Sequence, residues 1–236
     1  MQRIRTLLIQ FDNDIDVHEV PLFRGAIIHS LNNKLTLFHN HTKDGYRYRY
    51  PMIQYKRIRK KAALFCIGEG VDQVGELFCS FTPQIRIGNR EVELKVESIT
   101  PSNFLVQQWD TPYSYRLRRW LPLNTDNYIK YESLDSLSEK ISFLENILVA
   151  NILSFSKGIN LFLKDKVVCK ITNILNQKSV KLKGVKLLAI DLEFKCNVSL
   201  PNYMGLGKSA SLNFGTLTRF YQQDTLPHSS LLCSEY

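Results

Sequence analysis

An α+β fold class follows from three features of this 236-residue sequence. The first hundred residues alternate strand-like and helix-like periodicity in the order β-α-β-β-α-β, which is the ferredoxin-like order. The second half offers β, α, β and β, with no second helix evident before its last strand. The composition is that of a folded chain: 44% hydrophobic and 22% charged, too apolar for disorder and unlike a collagen repeat or a coiled coil. The length suits one large domain or two of about 100 residues each.

The opening RIRTLLIQF reads as a strand rich in β-formers, ended by the polar turn Asp12-Asn13-Asp14. A helix follows from about Pro21, because proline suits the first helical position and Leu22, Phe23, Ala26 and Ile27 recur at helical spacing. Gly25 inside it is read as a tolerated glycine. Strands are expected around Tyr48 to Arg57 and Ala62 to Ile67. A second helix is marked by Val71, Val74, Leu77 and Phe78, and a hairpin over Ile85 to Ile99 turns at Gly88-Asn89. Thr100-Pro101-Ser102-Asn103 is expected as the boundary, giving domains of residues 1–101 and 102–236. Strands then run from Phe104 to Gln108 and Tyr113 to Leu121 around a turn at Asp110-Thr111-Pro112. The clearest helix spans Leu137 to Ser156. Ser136 and Glu139 make a capping box, Leu137, Ile141, Leu144, Leu148, Ile152 and Phe155 form one stripe, and Gly158 closes it. Lys166 to Leu175, Val180 to Val198 and Leu212 to Tyr221 read as strands. No pattern emerges from Gln222 onward.

Charge narrows the function. Lys and Arg number 31 against 22 Asp and Glu, a formal charge of +9. Residues 43–61 hold eight basic residues and one acid, interleaved with Tyr46, Tyr48, Tyr50 and Tyr55. Cations neutralise phosphates and tyrosine rings offer faces for unpaired bases, so the mixture points to RNA or single-stranded nucleic acid. Arg116, Arg118 and Arg119, flanked by Tyr113, Tyr115 and Trp120, form a second such cluster. Lys178, Lys181, Lys183 and Lys186 read as a solvated strand face. No basic amphipathic helix and no long apolar run is present to serve a membrane. The five cysteines are scattered without a C-x-x-C pair, which argues against a disulfide framework or zinc knuckle and fits a reducing cytoplasm.

Two constellations carry chemistry. In Phe38-His39-Asn40-His41, an extended segment puts both imidazoles on one face, where one can take a proton and the other give one. On RNA, the base activates a ribose 2′-OH for attack on the adjacent phosphate and the acid protonates the departing 5′-oxygen. Lys34, Arg47 or Arg49 can stabilise the phosphorane, and a tyrosine hydroxyl can orient the phosphate. This chemistry needs no metal and no cofactor, and only Asp44 lies close enough to extend a ligand set. On spacing alone, a pair of surface histidines in a basic loop fits equally well. The second constellation is Met204-Gly205-Leu206-Gly207-Lys208-Ser209. It fails as a P-loop because Asn202 holds the first glycine position, and as a dinucleotide fingerprint because Ala210 holds the third. It remains a glycine-bearing loop before a strand, suited to close approach by a phosphodiester chain.

Together these residues resemble the CRISPR-associated repeat-RNA (pre-crRNA) processing endoribonucleases of the repeat-associated RNA-binding (RAMP) superfamily. The late loop GLGKSASLNFG sits where the family has its glycine-rich loop, with the usual terminal glycine-x-glycine reduced to Phe214-Gly215. FHNH with a tyrosine a few residues on resembles the paired-histidine subgroup. The resemblance implies two tandem ferredoxin-like (RRM-like) domains with antiparallel sheets. The first would carry His39, His41 and Tyr48 as catalytic residues, with Tyr46 as the other choice for the tyrosine. RNA would be held by Lys34, Arg47, Arg49, Gly205, Gly207 and Lys208. It further implies metal-independent cleavage of CRISPR precursor RNA within each repeat, leaving a 2′,3′-cyclic phosphate and a 5′-hydroxyl. A homodimer and association with other CRISPR effector proteins are compatible with it. The alternative within the superfamily is a non-cleaving subunit that holds guide RNA in an effector complex.

Overall fold

The computed structural model describes residues 1–31, 41–42, 45–46, 50–80, 83–182 and 184–220. Its first half runs β1 (Gln2–Asp14), α1 (Val20–Ser30), β2 (His41–Thr42), β3 (Gly45–Tyr46), β4 (Ile53–Ile58), β5 (Lys61–Ile67), α2 (Glu69–Ser80), β6 (Gln84–Ile87), β7 (Arg90–Glu93) and β8 (Val96–Val106). Four of these strands form an antiparallel sheet in the order β4-β5-β1-β8. Taken in chain order, that is fourth-first-third-second read from β8, the ferredoxin-like arrangement. Proline in its first turn opens α1, which buries Phe23, Ala26 and Ile27. The Phe23 ring meets Phe11 of β1 and Tyr55 of β4 edge-on, at 5.9 and 5.8 Å. A Cβ at Gly25 would meet nothing within 4 Å, so that glycine serves no close contact.

The second half runs β9 (Gln108–Trp120), α3 (Thr125–Glu132), α4 (Leu137–Gly158), β10 (Cys169–Leu182), β11 (Val185–Val198) and β12 (Thr216–Arg219). Its sheet order, β10-β11-β9-β12, repeats the first. Residues 199–215 occupy the place of the second helix as an irregular loop. The fold is therefore α+β with two tandem ferredoxin-like units and antiparallel sheets, and one apolar core runs through both.

Several elements run differently from the expected pattern. Thr100–Asn103, expected between the domains, lies within β8, paired with Leu8 to Arg5 of β1. The polar and proline residues there are tolerated because β8 is an edge strand, largely exposed. Asp110-Thr111-Pro112 is not the expected turn. It lies in a bulged stretch of β9, where register jumps from Cys196↔Tyr113 to Val198↔Gln108. The expected hairpin ends at Glu93, and Gly88 provides its turn at φ +60°. The capping box of Ser136 and Glu139 opens α4. Gly158, however, is its last helical residue, and Asn160 takes the left-handed conformation. The absence of a side chain at Gly158 instead admits Tyr50, whose Cβ would stand 2.5 Å from an added Cβ. The short helix α3, capped by Asn124 through its bond from the Asn127 N–H at 2.7 Å, is one the periodicity does not announce.

Candidate nucleic-acid interface

Edge strands expose unpaired backbone groups that a fold must cover. Here β4 is the first sheet's edge, and the glycine-bearing loop of the second half covers it. The Tyr55 N–H donates to the Ser211 carbonyl at 2.8 Å, and the Arg57 N–H to Asn213 Oδ1 at 3.3 Å. Gln54 faces the loop, its Oε1 accepting from the Gly205 N–H at 2.8 Å and its Nε2 donating to the Tyr50 hydroxyl at 3.0 Å. Tyr50 in turn donates to the Gly205 carbonyl at 2.7 Å. Both backbone groups of Gly205 are thus held, by Gln54 of β4 and by Tyr50 just before it. Lys56, fully buried, donates to the Ala210 carbonyl at 3.1 Å and the Thr216 hydroxyl at 3.4 Å. Burial away from water pulls its pKa down to about 7.

The loop's own shape requires its glycines. Gly207 has φ +82°, and a Cβ there would sit 2.7 Å from the Trp120 indole nitrogen, which is bonded to Asn151. Gly215 has φ +57°, and its Cβ would collide with the Leu206 carbonyl. Its N–H donates to the Arg119 carbonyl at 3.0 Å. Of the loop residues assigned to RNA from sequence, Gly205 is buried, Gly207 is half-buried against Trp120, and Lys208 is exposed. The two glycines do packing work in this structure.

His41 lies in β2, where it pairs with Tyr46 of β3, between α1 and β4 in the chain. His39, Tyr48, Lys34, Arg47 and Arg49 lie outside the described residues. The far end of that connection is fixed at Tyr50. Its ring meets Phe155 of α4 edge-on at 5.1 Å, and burial pushes its hydroxyl well above the usual tyrosine range. With its hydroxyl held between Gly205 and Gln54, Tyr50 serves as an anchor. A cavity of about 830 Å³ opens beside it, walled by Arg3, Ile4, Met52, Leu153 and Lys157.

Other tyrosines of the basic, aromatic stretches turn out to be core. Tyr55, Tyr115 and Trp120 are buried and offer no face to a base. Tyr115 instead holds the loop's start, donating to the Val198 carbonyl at 3.1 Å and accepting from the Leu200 N–H at 2.9 Å. Arg116 is paired with Glu193, and Arg118 is exposed. No local pattern marks Gln54 and Lys56 as seam residues, because their partners lie 151 and 154 residues away. The Arg119 guanidinium lies 4.4 Å over the Phe214 ring, while the Arg57 side chain turns to the Ile15 carbonyl, to which its Nε donates at 2.6 Å.

Comparisons with known proteins match both halves of the chain. A family model described as the Cas6b N-terminal domain matches residues 2–104, and one described as the Cas6b C-terminal domain matches residues 107–220. An uncharacterised protein of Methanocaldococcus jannaschii is 38% identical over 100 residues, covering 42% of this chain and 67% of that protein. A crystal structure of Cas6b superposes with a TM-score of 0.86 at 25% identity, over 93% of this chain and 100% of the other. A second Cas6b, described as a CRISPR RNA processing endoribonuclease, gives 0.72 at 22% identity with the same coverage. Csf5, a type IV Cas6 crRNA endonuclease, shares the fold at 0.57 and 13% identity, again over 93% and 100%.

Proposed function

The chain belongs to the Cas6b family, and from that premise we propose that it cleaves CRISPR precursor RNA within the repeats by attack of a ribose 2′-OH. The observation that carries the reading is the match of both halves of the chain to Cas6b, N-terminal and C-terminal in order. CRISPR RNA-processing endoribonuclease is the activity that this membership supports. The finer mechanism rests on residue chemistry. Of His39 and His41, one accepts the 2′-hydroxyl proton and the other protonates the departing 5′-oxygen, giving a 2′,3′-cyclic phosphate and a 5′-hydroxyl. Tyr48 orients the scissile phosphate, while Lys34, Arg47 and Arg49 offset the charge that grows on it. The step balances without a metal or a cofactor.

Support for locating the chemistry in this connection comes from its attachment. His41 is carried on a paired strand, and the chain re-enters the fold at Tyr50, bonded directly to the glycine-bearing loop. RNA bound on the loop's exposed side, at Lys208, would lie on the same junction. No helix among the described residues is long and apolar enough to cross a membrane, and we place the activity in the cytoplasm, where the transcript is.

The test is cleavage of end-labelled repeat RNA from the source genome in excess EDTA, comparing wild type with His39→Ala and His41→Ala. A single cut that survives EDTA, yields a cyclic phosphate and vanishes with either histidine supports the mechanism. Tight binding without cleavage would instead assign the chain as a guide-RNA-holding subunit. Activity lost in EDTA and restored by a divalent metal would overturn the acid–base scheme.

A further inference from the structure

Two contacts fix the first half against the end of the long helix α4. Gln2 Nε2 of β1 donates to the Ile159 carbonyl, just past that helix, at 3.0 Å. Tyr50 abuts Gly158, where an added Cβ would stand 2.5 Å from the Tyr50 Cβ. Beside these ties the two halves do not close on each other. Protein interiors leave few voids larger than a water molecule, so an opening held between tied elements is built into the fold. The cavity there measures about 830 Å³. That lies within the range of about 300–1,000 Å³ common to ligand pockets, which favour domain junctions.

Both halves furnish its lining. Leu144, Leu148, Ile152 and Phe155 of α4 are buried in the core, whereas Leu153 is 46% exposed. One exposed leucine is ordinary on a surface, but this one shares the cavity lining with Ile4 and Met52. Together they give an apolar wall. Arg3 of β1 and Lys157 of α4, both exposed, add a cation from each half. Arg5 and Asp72 also line the cavity but bind each other, with both guanidinium nitrogens on the carboxylate at 2.8 Å. Glu69 supplies an acceptor suited to an amino group on a base edge. An apolar wall with cations beside it fits a flat base carrying a phosphate better than a hydrocarbon or a free anion. Position points the same way. Tyr50 lines the cavity, and four residue steps separate it from Tyr46. An extended chain covers at most about 14 Å over them. His41 pairs with Tyr46, so the cleft lies within a few nucleotides of an RNA strand held at His41.

We propose that this cleft takes one unpaired nucleotide of the repeat, its base against Leu153 and Met52 and its phosphate held by Lys157 and Arg3. Proteins read RNA chiefly through unpaired bases splayed out of the strand, and a preformed cleft at the domain junction receives such a base without rearrangement. The proposal rests on the RNA-cleavage reading above and adds to it a seat for a nucleotide near the cut.

The test measures binding of fluorescein-labelled repeat RNA with methylated 2′-oxygens, which cannot be cut by 2′-OH attack. Each nucleotide in turn is replaced by an abasic one. Wild type is compared with Leu153→Ala and Lys157→Ala, both exposed positions, with urea unfolding run on each. In wild type, loss of one particular base should weaken binding about tenfold, the effect of losing its apolar burial. In Leu153→Ala the same replacement should cost much less, because that base has already lost its wall. Lys157→Ala should shrink the slope of log K against log salt by about 0.7, the increment for one phosphate on a single strand. Losses that multiply at every position, or a wild-type slope in Lys157→Ala, would overturn the proposal. A Leu153→Ala protein that binds every RNA as wild type does would also overturn it and leave the cleft to a protein partner. Failure of the wild type itself to bind repeat RNA would bring down the RNA reading, a result separable from these.

Discussion

The Tyr50 hydroxyl donates to the carbonyl oxygen of Gly205 at 2.7 Å, across 155 positions of sequence. It joins the last anchor of the connection bearing the candidate histidines to the loop expected to meet RNA. The bond is buried and is continued by Gln54, so the two halves of the site share one hydrogen-bonded unit.

Tyr50→Phe keeps the ring on Phe155 and the contact with Gly158 but removes that hydroxyl. The Gly205 carbonyl then loses a donor and Gln54 Nε2 loses an acceptor, both in a buried place. Leaving such groups unpaired costs about 1–3 kcal/mol. The urea midpoint should fall accordingly, with the cooperativity of unfolding unchanged. A variant as stable as wild type would show that the seam does not depend on this bond.

Lys56 makes stability depend on alkaline pH. Its folded-state pKa is depressed to about 7, against 10.5 for the free side chain. Below about 7 both folded and unfolded chains carry the proton, so the cost of burying the charge is complete. Between about 7 and 10.5 only the unfolded chain holds the proton, so stability rises with pH through that window. Lys56→Met should abolish this rise, whatever it does to absolute stability. Urea titrations at pH 7 and pH 9.5, compared between the two proteins, would check it. Parallel pH dependence in both would contradict a neutral buried amine.

Much of the fold was legible because its signals are local. The stripe from Leu144 to Phe155, the capping box of Ser136 and Glu139, and proline at the start of α1 each lie within one element, and each appears where the pattern put it. The seam was not legible. Tyr50 and Tyr55 sit in a run of basic and aromatic residues that read as a stacking surface, yet both are core. The causes are non-local, since Tyr55 packs against Phe23 of α1, Tyr50 against Phe155 of α4, and a loop from the other half pairs along the edge of β4. Lys56 looked like one more surface charge for the same reason. A bulge of β9 at Arg118 and Arg119 was equally silent, as it arises from register between β9 and β11 and not from the residues themselves. For the candidate site, the loop could be found in the sequence, but the division of labour within it could not.

That division is open to test at Gly207. Its φ of +82° disfavours any side chain, and an added Cβ would press on the Trp120 indole, whose N–H donates to Asn151 at 3.0 Å. Left-handed backbone at a non-glycine residue costs about 1–2 kcal/mol before the clash is counted. Gly207→Ala should therefore lower the melting temperature and disturb the near-ultraviolet signal of buried Trp120. An unchanged melting temperature would mean that the loop relaxes freely, contrary to its many bonds with β4.

Lys208 should behave in the opposite way. It stands exposed on the same loop, next to a residue whose role is packing. Removing an exposed lysine that makes no buried contact leaves stability within about 0.5 kcal/mol. If the lysine meets a phosphate of the repeat, Lys208→Ala should weaken RNA binding several-fold at low salt. The dependence of log K on log salt should shrink by about 0.7. Gly207→Ala, by contrast, should reduce binding only in step with its loss of folded protein. Binding and unfolding curves on the two variants separate these effects. A Lys208→Ala protein that binds repeat RNA with wild-type affinity and salt slope would remove this lysine from the interface and leave the loop a purely structural role.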